Sequence, residues 1–229
     1  MKKIKGITMA VLAGVLAVLL TACGSSFDAG KYMQAGLDAA IRGEFTDYVE
    51  ITGITEEEAE QEYNEILDSF TEQMNELGLS DELNEKYRTF FADLLKKTKY
   101  EVKDIRSGEE KGSYDVDIEI QPVTGVFDGL MDELNDVVDE YIEEILGSGE
   151  IPTEEELTEW AGEQVYAILS AKLDDVSYGD AETVTVTIAK DDSGEYTVSD
   201  DDLGAVALKL IDLGDLKEYA EDALEDAAE

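Results

Sequence analysis

Two stretches of the chain switch from helical spacing to strict alternation, and they dictate most of what it can fold into. Tyr114, Val116, Ile118 and Ile120 alternate with Asp115, Asp117, Glu119 and Gln121, and later Val184, Val186 and Ile188 alternate with Thr183, Thr185 and Thr187. Successive side chains of a strand point to opposite faces, so each stretch predicts a strand with one apolar face and one wet face. Each has a partner nearby. Tyr100, Val102 and Ile105 precede the first, out of phase as a bulged strand would be, with the loop Ser107-Gly108-Glu109-Glu110-Lys111-Gly112 between them. Asp191-Asp192-Ser193-Gly194 turns the second into Tyr196 and Val198. A lone hairpin is marginal in water. Pairing the two into one antiparallel four-stranded sheet, with helices over its apolar face, buries every stripe in a single core. The expectation is an α+β fold, with strand order left open.

The remaining segments read as helices. Tyr32, Met33, Leu37, Ala40 and Ile41 share a helical face, and Gly43 follows as a stop. Thr55-Glu56-Glu57-Glu58 is a capping box that opens a stripe of Ala59, Tyr63, Ile66, Leu67, Phe70, Met74 and Leu77, ended by Gly78. Ser80 caps a helix bearing Leu83, Tyr87, Phe90, Phe91 and Leu94. Between the hairpins, Phe127, Leu130, Met131, Leu134, Val138, Tyr141, Ile142 and Ile145 form another stripe, broken by Gly147-Ser148-Gly149. Pro152-Thr153-Glu154-Glu155-Glu156 then starts a helix carrying Leu157, Trp160, Ala161, Val165, Ile168 and Leu169. A last helix runs from about Asp202 through Val206, Leu210 and Ile211. Beyond Gly214 only Leu216, Tyr219 and Leu224 stand out from an acidic tail.

The chain holds one cysteine and no histidine. No disulfide can form within it, so packing alone must hold the core. The missing histidine removes the commonest general base and metal ligand. Acidic residues number 57 against 17 basic ones, a net charge of −40. Nucleic-acid binding needs Lys and Arg to displace counterions from phosphates, and no basic stripe exists. The same field disfavours direct docking on anionic lipid and attracts cationic partners.

The N-terminus starts Met-Lys-Lys-Ile-Lys and continues as an apolar run from Ile7 to Leu20, too short and one-sided for a spanning helix but suited to a signal peptide. It ends in Leu20-Thr21-Ala22-Cys23-Gly24, which resembles the lipobox of bacterial lipoproteins. That resemblance implies cleavage before Cys23, diacylglycerol on its sulfur, and anchoring to the outer face of the cell membrane. Gly24-Ser25-Ser26 would be a short tether, with folded structure from near Phe27. The expected organisation is a signal peptide over 1–22, the lipidated cysteine and tether over 23–30, and one α+β domain over 31–213. A helical insertion at about 126–172 and an acidic tail over 214–229 complete it.

From Tyr32-Met33-Gln34-Ala35-Gly36-Leu37-Asp38 through Gly43-Glu44-Phe45, Tyr48, Thr52-Gly53 and Thr55-Glu56-Glu57-Glu58-Ala59, the chain resembles uncharacterised lipoproteins of Gram-positive bacteria. Val184 to Val198 is similar to the closing hairpin of cystatin-like and NTF2-like domains. The resemblance implies a curved antiparallel sheet around helices, in a family whose members often lack an assigned activity. The helical block from Val126 to Lys172 departs from a compact unit of that kind.

Candidate sites are few. Asp191-Asp192-Ser193-Gly194-Glu195 and Asp200-Asp201-Asp202 are oxygen-rich, but counting back from Gly194 puts Ala189 at the first position of an EF-hand loop, so that motif fails. A hairpin turn and an acidic helix start account for them. Ser26, Ser69 and Ser170 have no histidine to activate them. Trp160, Tyr141 and Tyr166 could line a ligand groove, but their helical spacing favours a core role. No cofactor or metal ligand set is expected. The reading is therefore a non-enzymatic, membrane-anchored domain that binds a ligand or an envelope protein. Its rivals are a carboxylate-only hydrolase of cell-wall glycan and a structural accessory subunit. An aromatic pocket in the sheet would favour a small ligand, facing buried carboxyls a hydrolase, and a packed sheet with an exposed apolar patch a protein partner.

Overall fold

The computed structural model describes residues 27–149, 151–191 and 194–217. The expected signal peptide over 1–22, residues 23–26 of the expected tether, and the tail beyond Lys217 lie outside the described residues, while Ala29 and Gly30 at the end of that tether are already helical. Asp28 caps the first helix, α1 (Ala29–Leu37), its side chain accepting the Lys31 N–H at 3.0 Å. Without a break the chain enters one π-helical turn, Asp38–Arg42, and stops at Gly43, whose φ of 68° is left-handed. Tyr32, Met33, Leu37, Ala40 and Ile41 are all buried, as their shared face predicts.

Three helices follow: α2 (Thr46–Thr52), α3 (Glu56–Glu76) and α4 (Asp81–Lys96). The expected capping box at α3 is formed in both directions. Thr55 donates its backbone N–H and its hydroxyl to Glu58, and its hydroxyl oxygen accepts the Glu58 N–H. Ser80 caps α4 by accepting the Leu83 N–H at 3.2 Å. The facing stripes of α3 and α4 meet through Ile66, Leu67, Phe70, Leu83, Tyr87, Phe90 and Leu94, with Phe70 stacked on Phe91. Leu77, expected on the α3 stripe, is exposed at the helix end instead.

The two hairpins pair into one antiparallel four-stranded sheet, in the order β1 (Lys99–Ser107), β2 (Tyr114–Gln121), β5 (Glu182–Lys190), β6 (Tyr196–Val198). The β1–β2 register shifts between Val102 and Ile105, where the sequence loses phase. On the apolar face Val116, Ile118, Ile120, Val186 and Ile188 are fully buried. They pack beneath α1 and the closing helix α7 (Asp200–Leu210). Ser199 caps α7 by accepting the Asp202 N–H, so the helix starts two residues before the position its apolar stripe suggests. Two further short strands, β3 (Val123–Thr124) and β4 (Ser177–Tyr178), pair antiparallel where the insertion leaves and rejoins the sheet. Ile211 bridges in parallel to Val123 rather than extending the last helix. The insertion itself is a helical hairpin, α5 (Leu130–Ser148) and α6 (Glu154–Leu173).

Polar groups tie helix to sheet. Asp38, in the π turn, accepts from Gln34 within its helix and from the Tyr100 hydroxyl of β1 at 2.8 Å. Arg42 pairs with the same carboxylate at 3.2 Å and lies over the Tyr100 ring. At the hairpin-turn end, Phe27 stacks on Tyr196 with centroids 3.6 Å apart and meets Tyr32 edge-on at 5.0 Å. On the wet face Asp117 accepts two guanidinium bonds from Arg106 and the Thr185 hydroxyl, linking β1, β2 and β5. The Arg106 hydrogen bonds, aided by Thr185, hold the Asp117 carboxyl down at about 2 against an ordinary 3.8.

Two outcomes test this account. Ile118 is fully enclosed, so Ile118→Ala should cost about 3–4 kcal/mol in urea unfolding with an unchanged m-value. A lowered carboxyl stabilises the fold fully above its ordinary pKa and loses that contribution as pH falls through the folded value. An NMR titration should therefore place the Asp117 midpoint near 2, and Arg106→Gln should return it toward 3.8.

Candidate functional site

The centre of the sheet's apolar face is sealed, its side chains fully covered, and the space of about 360 Å³ at its β1 edge is a shallow one between α1 and Val102 and Ile105, with Asp28, Lys31 and Asp47 at its rim. The aromatic residues near it, Phe27, Tyr32, Tyr114 and Tyr196, pack on one another rather than around a space. A cavity of about 410 Å³ lies at the far end of the sheet, beside Pro122, Gly179, Leu208 and Ile211. Its charged groups are mixed, and Lys209 is already paired with Glu182 at 2.6 Å.

The sequence candidates disperse. Asp191 takes the Glu195 N–H at 3.0 Å as a turn would, while Asp192 and Ser193 lie outside the described residues. Asp202 accepts the Thr187 N–H at 3.0 Å, and Asp200 and Asp201 occupy the first turn of α7. Among the described residues no cluster of three or more His, Cys, Asp or Glu converges on a metal-sized space. Ser69 donates its hydroxyl to Ile66 in its own helix. Ser170 is half-buried on α6, and Ser26 and Cys23 lie outside the described residues. Glu62 is a carboxyl whose pKa is raised, by burial first and by Glu65 and Glu58 beside it. It faces the Tyr48 hydroxyl at 2.9 Å, not a second carboxyl across a cleft.

What the structure brings together is the helical hairpin. Its root is in the core: Val126, Phe127, Leu130 and Leu169 are buried, and Lys172 holds α5 to α6 through Glu133 at 2.8 Å. Midway, α6 docks on α4. The Tyr87 hydroxyl donates to the Gly162 carbonyl at 2.7 Å, Ser80 donates its N–H to Glu159, and Tyr166 packs edge-on to Tyr87. Gly162 makes this approach possible, since a Cβ there would meet Leu79 and Leu83 at 2.8 and 2.9 Å.

Toward the tip, among the described residues, the ring contact is between the two helices themselves. Tyr141 stacks on Trp160 with centroids 4.0 Å apart and 14° between planes. Both rings, like Leu134, Val138 and Ile145, are half-buried. Of the three aromatic residues expected in a core role, Tyr166 packs against the core, whereas Tyr141 and Trp160 lie in a two-helix seam that leaves each with one wall, where a core position needs neighbours all round. Past that stack the seam opens into a cavity of about 570 Å³ lined by Tyr141, Glu144, Ile145, Ile151, Pro152 and Glu156. Leu146 is 77% exposed and Ile151 88%, with Ile142 and Leu157 also exposed. These four make up most of the exposed large hydrophobics among the described residues. The rim is anionic. The Thr153 N–H and hydroxyl hold the Glu156 carboxyl below its ordinary range, and Ser80 does the same for Glu159.

The fold and this arm define an α+β domain with a projecting helical hairpin, within which no described helix is long and apolar enough to cross a membrane. Neither the known protein families nor the curated proteins contain a match to the chain. Among solved structures, a Bacillus subtilis protein provisionally described as a lipoprotein is similar, at 19% identity and a TM-score of 0.53. The likeness covers 80% of this chain and 56% of that one, so it spans little more than half of that protein and speaks for the fold.

The seam stack and the tip separate in their effect on stability. Tyr141→Ala should shift Trp160 emission to the red and lower stability by about 1 kcal/mol, the worth of an aromatic pair. Leu146→Ser and Ile151→Ser should change thermal stability by no more than about 0.5 kcal/mol, as exposed sites do.

Proposed function

We propose that this is an exported lipoprotein, cleaved before Cys23, lipidated on that residue and held at the outer face of the cell membrane. There it acts as a non-enzymatic module that binds a protein of the envelope. The leader pattern supports export, because the basic start, apolar run, small residues and lone cysteine arrive in order. The similar Bacillus subtilis chain, itself described as a lipoprotein, agrees with that reading. So does the packing of Phe27, four residues after Cys23, which fixes the start of the domain to its sheet. Two acyl chains would give a stable anchor where one is marginal. The division into leader, short tether, domain and acidic tail belongs to the same proposal. A cystatin-like or NTF2-like relationship is supported by the antiparallel meander with α1 laid across it.

The observation that carries the binding role is the contrast between a sealed sheet and an open helical tip. Leu146 and Ile151 stand in solvent at 77% and 88%, while Val116, Ile118, Ile120, Val186 and Ile188 at the centre of the apolar face are fully covered and Ile105 at the β1 edge is 46% exposed. Contiguous exposed apolar surface on a soluble domain marks an interaction site.

Two measurements test the proposal. Mass spectrometry of the membrane-extracted protein should find its first residue at Cys23, carrying a diacylglyceryl thioether, and Cys23→Ala should release the chain from membranes. A photo-crosslinking residue at position 146 in intact cells should capture an envelope protein. An unmodified or different first residue refutes the anchor, and no captured protein refutes the binding role.

A further inference from the structure

Resting on that binding role, we infer that the tip of the α5–α6 hairpin receives a lysine- or arginine-rich amphipathic segment of its partner. The argument starts from charge. Between Lys111 and Lys172 the chain carries no Lys, Arg or His, whereas thirteen acidic residues lie between Leu130 and Ala171. Two of them, Glu144 and Glu156, line the opening between the helices, and Glu143, Glu154 and Glu155 are their neighbours in the chain. Elsewhere in the domain acids find local cations, as Asp117 does in Arg106 and Glu182 in Lys209. At the tip none is within the sequence to find.

The helix ends sharpen the imbalance. The three glutamates of the α6 first turn sit at the positive end of that helix and are well placed. Glu143 and Glu144 instead approach the C-terminal end of α5, whose last turn carries no basic residue. There the exposed carbonyls are partially negative, so acids add to the dipole rather than offset it. A cation from outside would satisfy both the carboxylates and the helix end.

The apolar geometry sets the rest. Ile145 follows Tyr141 by four residues and Leu157 precedes Trp160 by three, so both continue the stacked seam toward the tip. The open cavity beyond the stack is lined by Ile145, Ile151 and Pro152 together with Glu144, Ser148 and Glu156, so it offers apolar walls and carboxylates side by side. Ile142 and Leu146 flank it on the neighbouring helical row. A groove that sets Tyr141, Ile145 and Ile151 beside Glu144 and Glu156 matches a segment that carries apolar anchors and cations together. A second copy of the chain is a poor occupant, since it would bring an identical acidic rim against this one. Anionic lipid fails for the same reason.

Trp160 is the sole tryptophan and lies in the seam, so its emission reports binding by tryptophan-free peptides to the full chain in non-ionic detergent. The probes are an amphipathic Leu/Lys helix, its scrambled isomer of equal charge, and a Leu/Glu helix with the same apolar face. The Leu/Lys helix should bind at least tenfold more tightly than either control. Binding should weaken severalfold from 50 to 500 mM salt, and at least tenfold in the double variant Leu146→Ser, Ile151→Ser, whose circular dichroism should match the parent. Equal binding of the scrambled peptide reduces the effect to bulk charge and overturns the inference. So does equal binding of the Leu/Glu helix, unchanged affinity in the double variant, or dimerisation through the tip in sedimentation. Crosslinking from position 146 separates the two levels. A captured partner whose contact segment lacks Lys and Arg overturns this inference and leaves the binding role intact; no captured partner overturns both.

Discussion

The structure depends on one sealed layer: the β-branched face of β2 and β5 closed beneath α1 and α7. Val116, Ile118, Ile120, Val186 and Ile188 lose all contact with water there. Each buried side chain of this kind contributes about 2–3 kcal/mol relative to an exposed one. No disulfide and no described metal cluster shares that task. The strands are laid against each other antiparallel throughout, so both hairpins turn at one end and the helical insertion must leave from the other. That single geometric fact fixes where everything else can be. Phe27 packs at the turn end, against Tyr114 and Tyr196, while α5 departs beyond Gln121.

The sheet's wet face and its edges are managed by charge. Rows such as Arg106, Asp117 and Thr185 run across three strands and leave few carboxylates of the central strand unpaired. The bulge in β1 interrupts the edge between Val102 and Ile105, where pairing with Val116 resumes, and β6 is only three residues long. Both features blunt edges that could otherwise pair with another chain. In a protein of net charge −40, local cations are scarce, and the sheet takes a large share of them. Lys103, Arg106, Lys190 and Lys209 all serve strands or their rims. The helical hairpin has none of its own beyond its root, and Lys86 of α4 reaches only the docked stretch of α6 at Glu159 and Glu163.

Much of this was legible in the sequence because its signals are local. Period-two alternation marks β2 and β5 whatever their neighbours are, and a Thr-x-x-Glu box closes on itself at Thr55 and Thr153. The bulge in β1 was visible as lost phase between Val102 and Ile105. Features that depend on a distant partner were not visible. The π turn at Asp38–Arg42 leaves no mark in spacing, yet it places Asp38 under Tyr100, 62 positions away. The two-residue strands β3 and β4 are too short for any period, and exist because the insertion's two ends meet. For the candidate site the limit is sharper. An apolar stripe on α5 says that a face exists, not that a second wall covers it. Tyr141 and Trp160 therefore read as core, and are a seam. The signal that could have distinguished them was the sixty-residue stretch without a cation, since a fully enclosed helix pair seldom carries acids all around its rim.

An exposed apolar tip on a domain of such high negative charge is a feature that folding alone does not explain. Replacing Leu146 or Ile151 by a polar residue would remove no core contact, and surface apolar groups invite aggregation. The acidic rim offsets that risk, because copies of the chain repel one another at the place where they are stickiest. The same rim selects what can approach. A lipid anchor at Cys23 would hold the Phe27 end near the bilayer. The eight residues of β2 would then set the root of the arm about 25 Å further along the sheet, at the usual rise per strand residue. In that arrangement the sheet is a rigid spacer between tether and arm. Its sealed face is then no missing binding site but the stiffness that a presented helical tip requires.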